Sequence, residues 1–127
     1  MKLEDLEVYK LSMDLGERVW SFVKKWDYFA KDTIGKQLLK AVDSVAANLS
    51  EGFGRFHYRE KKHFSYYSRG SLYETRTWLT KAHNRNLLNH DDYDYFMKNI
   101  DFIGVKLNNY IRATGSKEVH DDPEDYN

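Results

Sequence analysis

The 127-residue sequence predicts an all-α fold, an antiparallel up-down-up-down four-helix bundle. Apolar residues recur at steps of three and four in four separate stretches, the mark of amphipathic helices. The single proline, Pro123, stands near the end, so nothing before it removes a backbone donor from a long helix. Links of roughly three to six residues between stretches of similar length set successive helices side by side and antiparallel. No stretch alternates convincingly with period two, so no strands are expected.

The first stretch, about 5–29, carries Val8, Leu11, Leu15, Val19, Phe22, Val23 and Trp26 on one helical face. The second, about 33–51, repeats the pattern with Ile34, Leu38, Ala41, Val42, Val45 and Leu49, after a capping residue at Asp32 or Thr33. The third, about 58–86, puts Phe64, Ser68, Ser71, Thr75, Trp78, Leu79 and Ala82 inward, with small residues that let a neighbouring helix come close. The fourth, about 91–113, offers Tyr93, Phe96, Ile100, Ile103, Leu107, Tyr110 and Ile111. Asn89 or His90 would cap it, and Asp91, Asp92 and Asp94 suit the positive end of its dipole. The bundle is expected to fill 1–114, leaving 115–127, "GSKEVHDDPEDYN", as a flexible acidic tail without apolar periodicity.

Composition excludes several chemistries. There is no cysteine, hence no disulfide, thiolate nucleophile or zinc–thiolate site. The N-terminus "MKLEDLEVYK" has acids where a signal peptide needs an apolar run, and no 18-residue apolar stretch occurs, so a cytoplasmic, non-membrane protein is expected. Net charge is zero but unevenly spread. Residues 31–90 hold eleven basic and five acidic side chains, and residues 91–127 hold four basic and nine acidic ones. A basic middle is compatible with a polyanionic partner.

Projecting the helices at about 100° per residue exposes two further features. Met13 with Trp20, and Tyr95 with Phe102, are apolar pairs seven apart that lie off the core faces, as expected of an oligomer interface. On the third helix, Arg55, Arg59, Lys62, Tyr66, Arg69, Tyr73 and Arg76 follow steps of alternately four and three. If the helix begins this early, they form one basic and aromatic stripe. Its cations would neutralise phosphates and its tyrosines would stack on unpaired bases, as a nucleic-acid-binding face does. The plainer reading is a solvated outer face whose tyrosines pack on another subunit.

Tests for catalysis and metal binding come out empty. Glu60 and His63 have the Glu-x-x-His spacing of bundle-borne di-iron sites, but no second copy exists and two lysines lie between them. No Gly-x-Ser-x-Gly elbow, Walker-type Gly-Lys-Ser/Thr or strand-flanked glycine fingerprint is present. No enzyme activity, metal, cofactor or small-molecule substrate is therefore expected. The stretch "NLSEGFGRF" (48–56) reads as punctuation between helices: Gly52 a left-handed residue past the second helix, and Gly54 the reversal. Glu51 and Arg55 would pair with each other or reach Glu74. The polar row Gln37, Ser44 and Asn48 would fix register by hydrogen bonds at the core's edge. A ligand-binding role for Asn48, Glu51, Arg55 and Glu74 is an alternative, and an enzyme with a cleft around Glu51, Arg55 and Glu74 is the catalytic one.

Three motifs carry a family resemblance: "LEVYKLSMDLGERVW", "IGKQLLKAVDSVAANLSEGFGR" and "FSYYSRGSLYETRTWLTKA". Together they resemble the small bacterial four-helix-bundle proteins named for intervening sequences in 23S rRNA, sometimes labelled ribosomal proteins, over about residues 6–112. The second motif is similar to the family's Asn-Ile-Ala-Glu-Gly-x-Gly-Arg segment, and the third to its Gly-Ser-x-x-Glu segment. Position by position, the family's polar residues fall on Gln37, Ser44 and Asn48. They continue on Glu51, Gly52, Gly54 and Arg55, then on Gly70, Ser71 and Glu74. The chain departs from the pattern at Leu39 and Lys40, where paired arginines are frequent, and lacks the usual proline between the first two helices.

The resemblance implies a ring-shaped homo-oligomer, commonly a homopentamer, and a likeness to accessory proteins of diversity-generating retroelements, which contact nucleic acid. The expected function is thus a non-enzymatic scaffold or accessory protein associated with RNA. The alternative is an oligomeric protein–protein interaction module that binds no nucleic acid.

Overall fold

A 3-10 turn, Leu3–Asp5, closed by the Lys2 amide donating to Asp5 Oδ2 at 3.1 Å, leads into α1, Glu7–Val23. The computed structural model describes residues 1–121, with side chains through Thr114. Helix α1 stops at Val23, several residues before the expected 29. A turn through Trp26 follows, and Asp27 opens α2 by accepting the Ala30 amide at 2.9 Å. Asp27, not Asp32 or Thr33, is therefore the cap. Those two residues lie inside the helix, Asp32 pairing with Lys36 at 3.0 Å and Thr33 donating to the Phe29 carbonyl at 2.6 Å.

Helix α2 has three consecutive segments: Tyr28–Ala30, a π-helical stretch Lys31–Gly35, and Lys36–Phe53. Gly35 sits where the start of α2 meets the end of α1. A Cβ there would stand 2.8 Å from Val23 Cγ1 and 3.1 Å from the Ala30 carbonyl oxygen. Helices α3, Tyr58–Asn84, and α4, His90–Asp121, complete the bundle.

The α3–α4 link is built by Asn86, whose φ of 63° is left-handed, a conformation that asparagine tolerates better than most residues. Its amide bonds the His83 carbonyl and the Leu87 amide bonds the Ala82 carbonyl, which together satisfy the end of α3. Asn89 then caps α4 by accepting the Asp92 amide at 2.8 Å. Helix α4 does not stop at residue 113. It runs to Asp121 through the start of the expected tail, since Gly115 lowers helix propensity without removing a backbone donor and the first proline is Pro123. Residues 122–127 of that tail lie outside the described residues.

In cross-section α1 packs against α2 and α4, and α3 also packs against α2 and α4, so the α1/α2 and α3/α4 grooves lie on opposite sides. Every expected apolar position of α2 is buried, from Ile34 to Leu49. In α4, Phe96, Ile100, Ile103, Leu107 and Ile111 are buried, while Tyr93 and Tyr110 are half-buried.

The inward face of α3 matches expectation at Ser68, Thr75, Leu79 and Ala82 and adds Ser65 and Leu72. It comprises Ser65, Ser68, Leu72, Thr75, Leu79 and Ala82, with Phe64, Ser71 and Trp78 only half-buried. Buried hydroxyls must bond. Ser65 and Thr75 turn back to the Lys61 and Ser71 carbonyls, whereas Ser68 donates across the interface to the Val45 carbonyl at 2.7 Å. Ser68, not the polar row on α2, links the two helices. Ser44 bonds the Lys40 carbonyl and Asn48 the Ser44 carbonyl, both within α2, and Gln37 is exposed.

The glycine pair also works differently from the sequence reading. Among the described residues no glycine has a positive φ. Gly52 is buried inside α2, where a Cβ would lie 2.9 Å from Phe64 Cβ and 3.1 Å from the Lys61 carbonyl oxygen. It is glycine because α3 passes too close for any side chain. Gly54 is the C-cap, with right-handed φ and ψ.

Candidate functional site

Helix α3 begins at Tyr58, so Arg55 is off the stripe. It is held in the α2–α3 link by Glu51 at 2.8 Å and Glu60 at 3.3 Å, over the Phe64 ring at 4.9 Å. Glu74 takes no part. It accepts the Trp78 indole N–H at 3.1 Å and lies 14 residues along α3 from Glu60, about 21 Å at the rise of an α-helix. Neither the catalytic cleft of Glu51, Arg55 and Glu74 nor the ligand site that adds Asn48 to them is assembled.

The rest of the stripe divides into two parts. Arg59, Lys62, His63 and Tyr66 surround an open depression of 420 Å³ on the outer side of α3. Further along, Arg69, Tyr73 and Arg76 turn into the α3/α4 groove, where α4 already holds both guanidiniums. Arg69 donates to Asn108 Oδ1 at 3.0 Å and lies over the Tyr66 ring at 4.9 Å. Arg76 pairs with Asp101 and contacts the Met97 sulfur at 3.3 Å. Sequence reasoning missed Asn108 and Asp101 because the contacts span 39 and 25 residues.

The two expected interface pairs do not merge into one patch. Met13 lines the α1/α2 groove with Glu17 and Asp43, and Trp20, two turns further along α1, is exposed on the same flank. Tyr95 instead lies under Arg18 at 5.4 Å, and Phe102 under Lys106 at 5.3 Å, whose amine pairs with Glu7. Those contacts put the second pair at the α1/α4 seam.

Gly70 lies mid-helix on α3, and a Cβ there would meet nothing within 4 Å. No neighbour in the chain requires a glycine at that place. Gly70→Ala is therefore expected to raise the unfolding free energy by about 0.5–1 kcal/mol through helix propensity and unfolded-state entropy. A denaturant titration checks this, with unchanged or lowered stability as the contrary result.

Among the described residues no three His, Asp or Glu side chains gather as a metal site, and no helix is long and apolar enough to cross a membrane. The family model for the 23S rRNA-intervening sequence protein matches residues 4–109. The chain belongs to this family. Its fold is similar to a crystal structure of a protein with unknown function from the S23 ribosomal protein family of Bacteroides thetaiotaomicron. The TM-score is 0.74 at 18% identity, covering 82% of this chain and 97% of that one. None of the curated proteins matches. The family is named for an intervening sequence of 23S rRNA rather than for a reaction.

Proposed function

We propose that this family member is a non-catalytic, cytoplasmic scaffold that self-associates into a ring, a pentamer as the family resemblance implies, and holds single-stranded RNA on the outer face of α3. The observation that carries the RNA reading is the open depression bounded by Arg59, Lys62, His63 and Tyr66. It offers cations for phosphates and a ring on which a base can stack. Arg69, Tyr73 and Arg76 turn away from that face into the α3/α4 groove, where α4 already engages both guanidiniums.

That engagement, together with the carboxylate of Glu74 on α3, favours the second reading, an oligomeric interaction module without nucleic acid. Titrating a labelled single-stranded RNA against the full chain at several salt concentrations separates them. Binding through phosphates weakens linearly in log–log form, by about 0.7 per phosphate neutralised on a single strand. Arg59→Glu with Lys62→Glu is expected to lower affinity at least about tenfold and flatten the salt slope, since two phosphate contacts are lost. Unchanged affinity in that variant overturns the face assignment, and absence of binding by the parent leaves the second reading.

A further inference from the structure

We infer that copies of this chain join head to tail, the carboxylate-lined α1/α2 depression of one copy seating against the cationic α3/α4 groove of the next. This rests on the self-association proposed above and adds which faces meet.

Glu17 and Asp43 line one depression of 290 Å³ beside Met13, and neither carboxylate pairs with a cation among the described residues. Asp43 is laid against α1, its Oδ1 only 2.9 Å from where a Cβ on Gly16 would stand. Partial burial there, and the like charge of Glu17, hold its carboxyl above the usual aspartate range. Met13 and Trp20, 45% and 55% exposed, supply apolar anchors on the same flank.

The opposite side of the bundle has the complementary features. The α3/α4 groove, 290 Å³, is floored by Leu72 and Ile100 and rimmed by Tyr73 and Val105, which are 64% and 58% exposed. Arg69 and Arg76 stand two turns apart along it. The partner of Arg69 is a neutral amide, so its charge is not offset, and Asp101 offsets that of Arg76 alone. Gly104 keeps the groove open, the nearest atom to a Cβ there being Leu72 Cδ2 at 3.8 Å. Exposed Trp, Tyr and Arg are the side chains that most often anchor interfaces.

Because these faces are opposite, one copy cannot satisfy its own, and pairing like faces would set carboxylate against carboxylate. A head-to-tail contact satisfies both at once, and such contacts close into rings or propagate as filaments.

Sedimentation velocity on the full chain tests this. The parent is expected at a multiple of 15.2 kDa. Glu17→Lys with Asp43→Lys, and separately Arg69→Glu with Arg76→Glu, are each expected to weaken association at least tenfold while keeping the helical circular dichroism of the parent. Mixing the two variants restores a larger species, since each keeps the face that the other lost. Gly104→Leu, which fills the groove without altering charge, is expected to weaken association as well, and it decides the matter if either charge variant fails to fold.

A folded set of variants that all keep the parent mass, or a mixture that stays monomeric, overturns the face assignment while leaving self-association intact. A monomeric parent overturns both. Loss of RNA binding with unchanged mass in the Arg69→Glu/Arg76→Glu variant would make the groove an RNA site and overturn the head-to-tail contact.

Discussion

Replacing Phe96 by alanine is expected to destabilise the bundle by about 3–5 kcal/mol, the range for truncating a buried aromatic. The ring is fully buried where α4 faces α1, edge-on to Phe22 with centroids 5.1 Å apart. Its removal loses the transfer free energy of the ring. It also leaves a cavity, since the helices packed around the ring cannot collapse into it without moving as whole bodies. Chemical denaturation should show the midpoint falling with little change in slope. A loss below about 1 kcal/mol would mean the ring is not the keystone of the α1/α4 contact that its burial indicates. Phe96→Leu, which keeps most of the volume, should recover the greater part.

The second large effect is at Gly52. A valine there is expected to cost about 3 kcal/mol or more, at or above the upper end for overpacked core sites. The first carbon alone would press on the Lys61 carbonyl oxygen and Phe64 Cβ, and a backbone oxygen yields only if α3 itself moves away from α2. Alanine is the informative companion. Helix propensity favours it over glycine by about 1 kcal/mol, so any net loss measures the clash. Gly52→Ala should destabilise while Gly70→Ala stabilises: the same chemical change on neighbouring helices, with opposite sign because one site faces backbone and the other faces open space. If both stabilised, the close approach of α2 and α3 at Gly52 would be wrong.

Much of this architecture is legible in the amino-acid order. The apolar period of α2 places all six of its expected core residues correctly, because Ile34, Leu38, Ala41, Val42, Val45 and Leu49 contrast sharply with the lysines and polar residues between them. Helix α3 is harder because half of its buried face is hydroxyl. Ser68, Thr75, Leu79 and Ala82 are buried as expected, but Ser65 carries little hydropathic contrast, and the large rings of Phe64 and Trp78, only half-buried, stand in its place in the expected face. What lets those hydroxyls go inside is hydrogen bonding, and the key bond, from Ser68 to Val45, joins residues 23 apart in sequence.

The same blindness to distant partners governs the candidate site. Spacing reveals the cationic stripe, yet nothing local shows that Asn108 and Asp101 have already engaged Arg69 and Arg76. Nor does spacing reveal that Arg55 is tied down by Glu51 and Glu60 before α3 begins. Helix ends depend on single caps, and nothing local to Asp32 or Thr33 shows that the chain has already turned at Trp26 and been capped by Asp27. Glycine is ambiguous for a related reason. A positive φ and a close helical crossing select the same residue, and only the position of α3 tells them apart at Gly52.

The most direct measurement is sedimentation velocity of the full chain with labelled single-stranded RNA at low and at high salt. A scaffold of the proposed kind gives one boundary at a multiple of 15.2 kDa that carries the RNA at low salt and releases it at high salt. A 15.2 kDa boundary that never moves with RNA would contradict it.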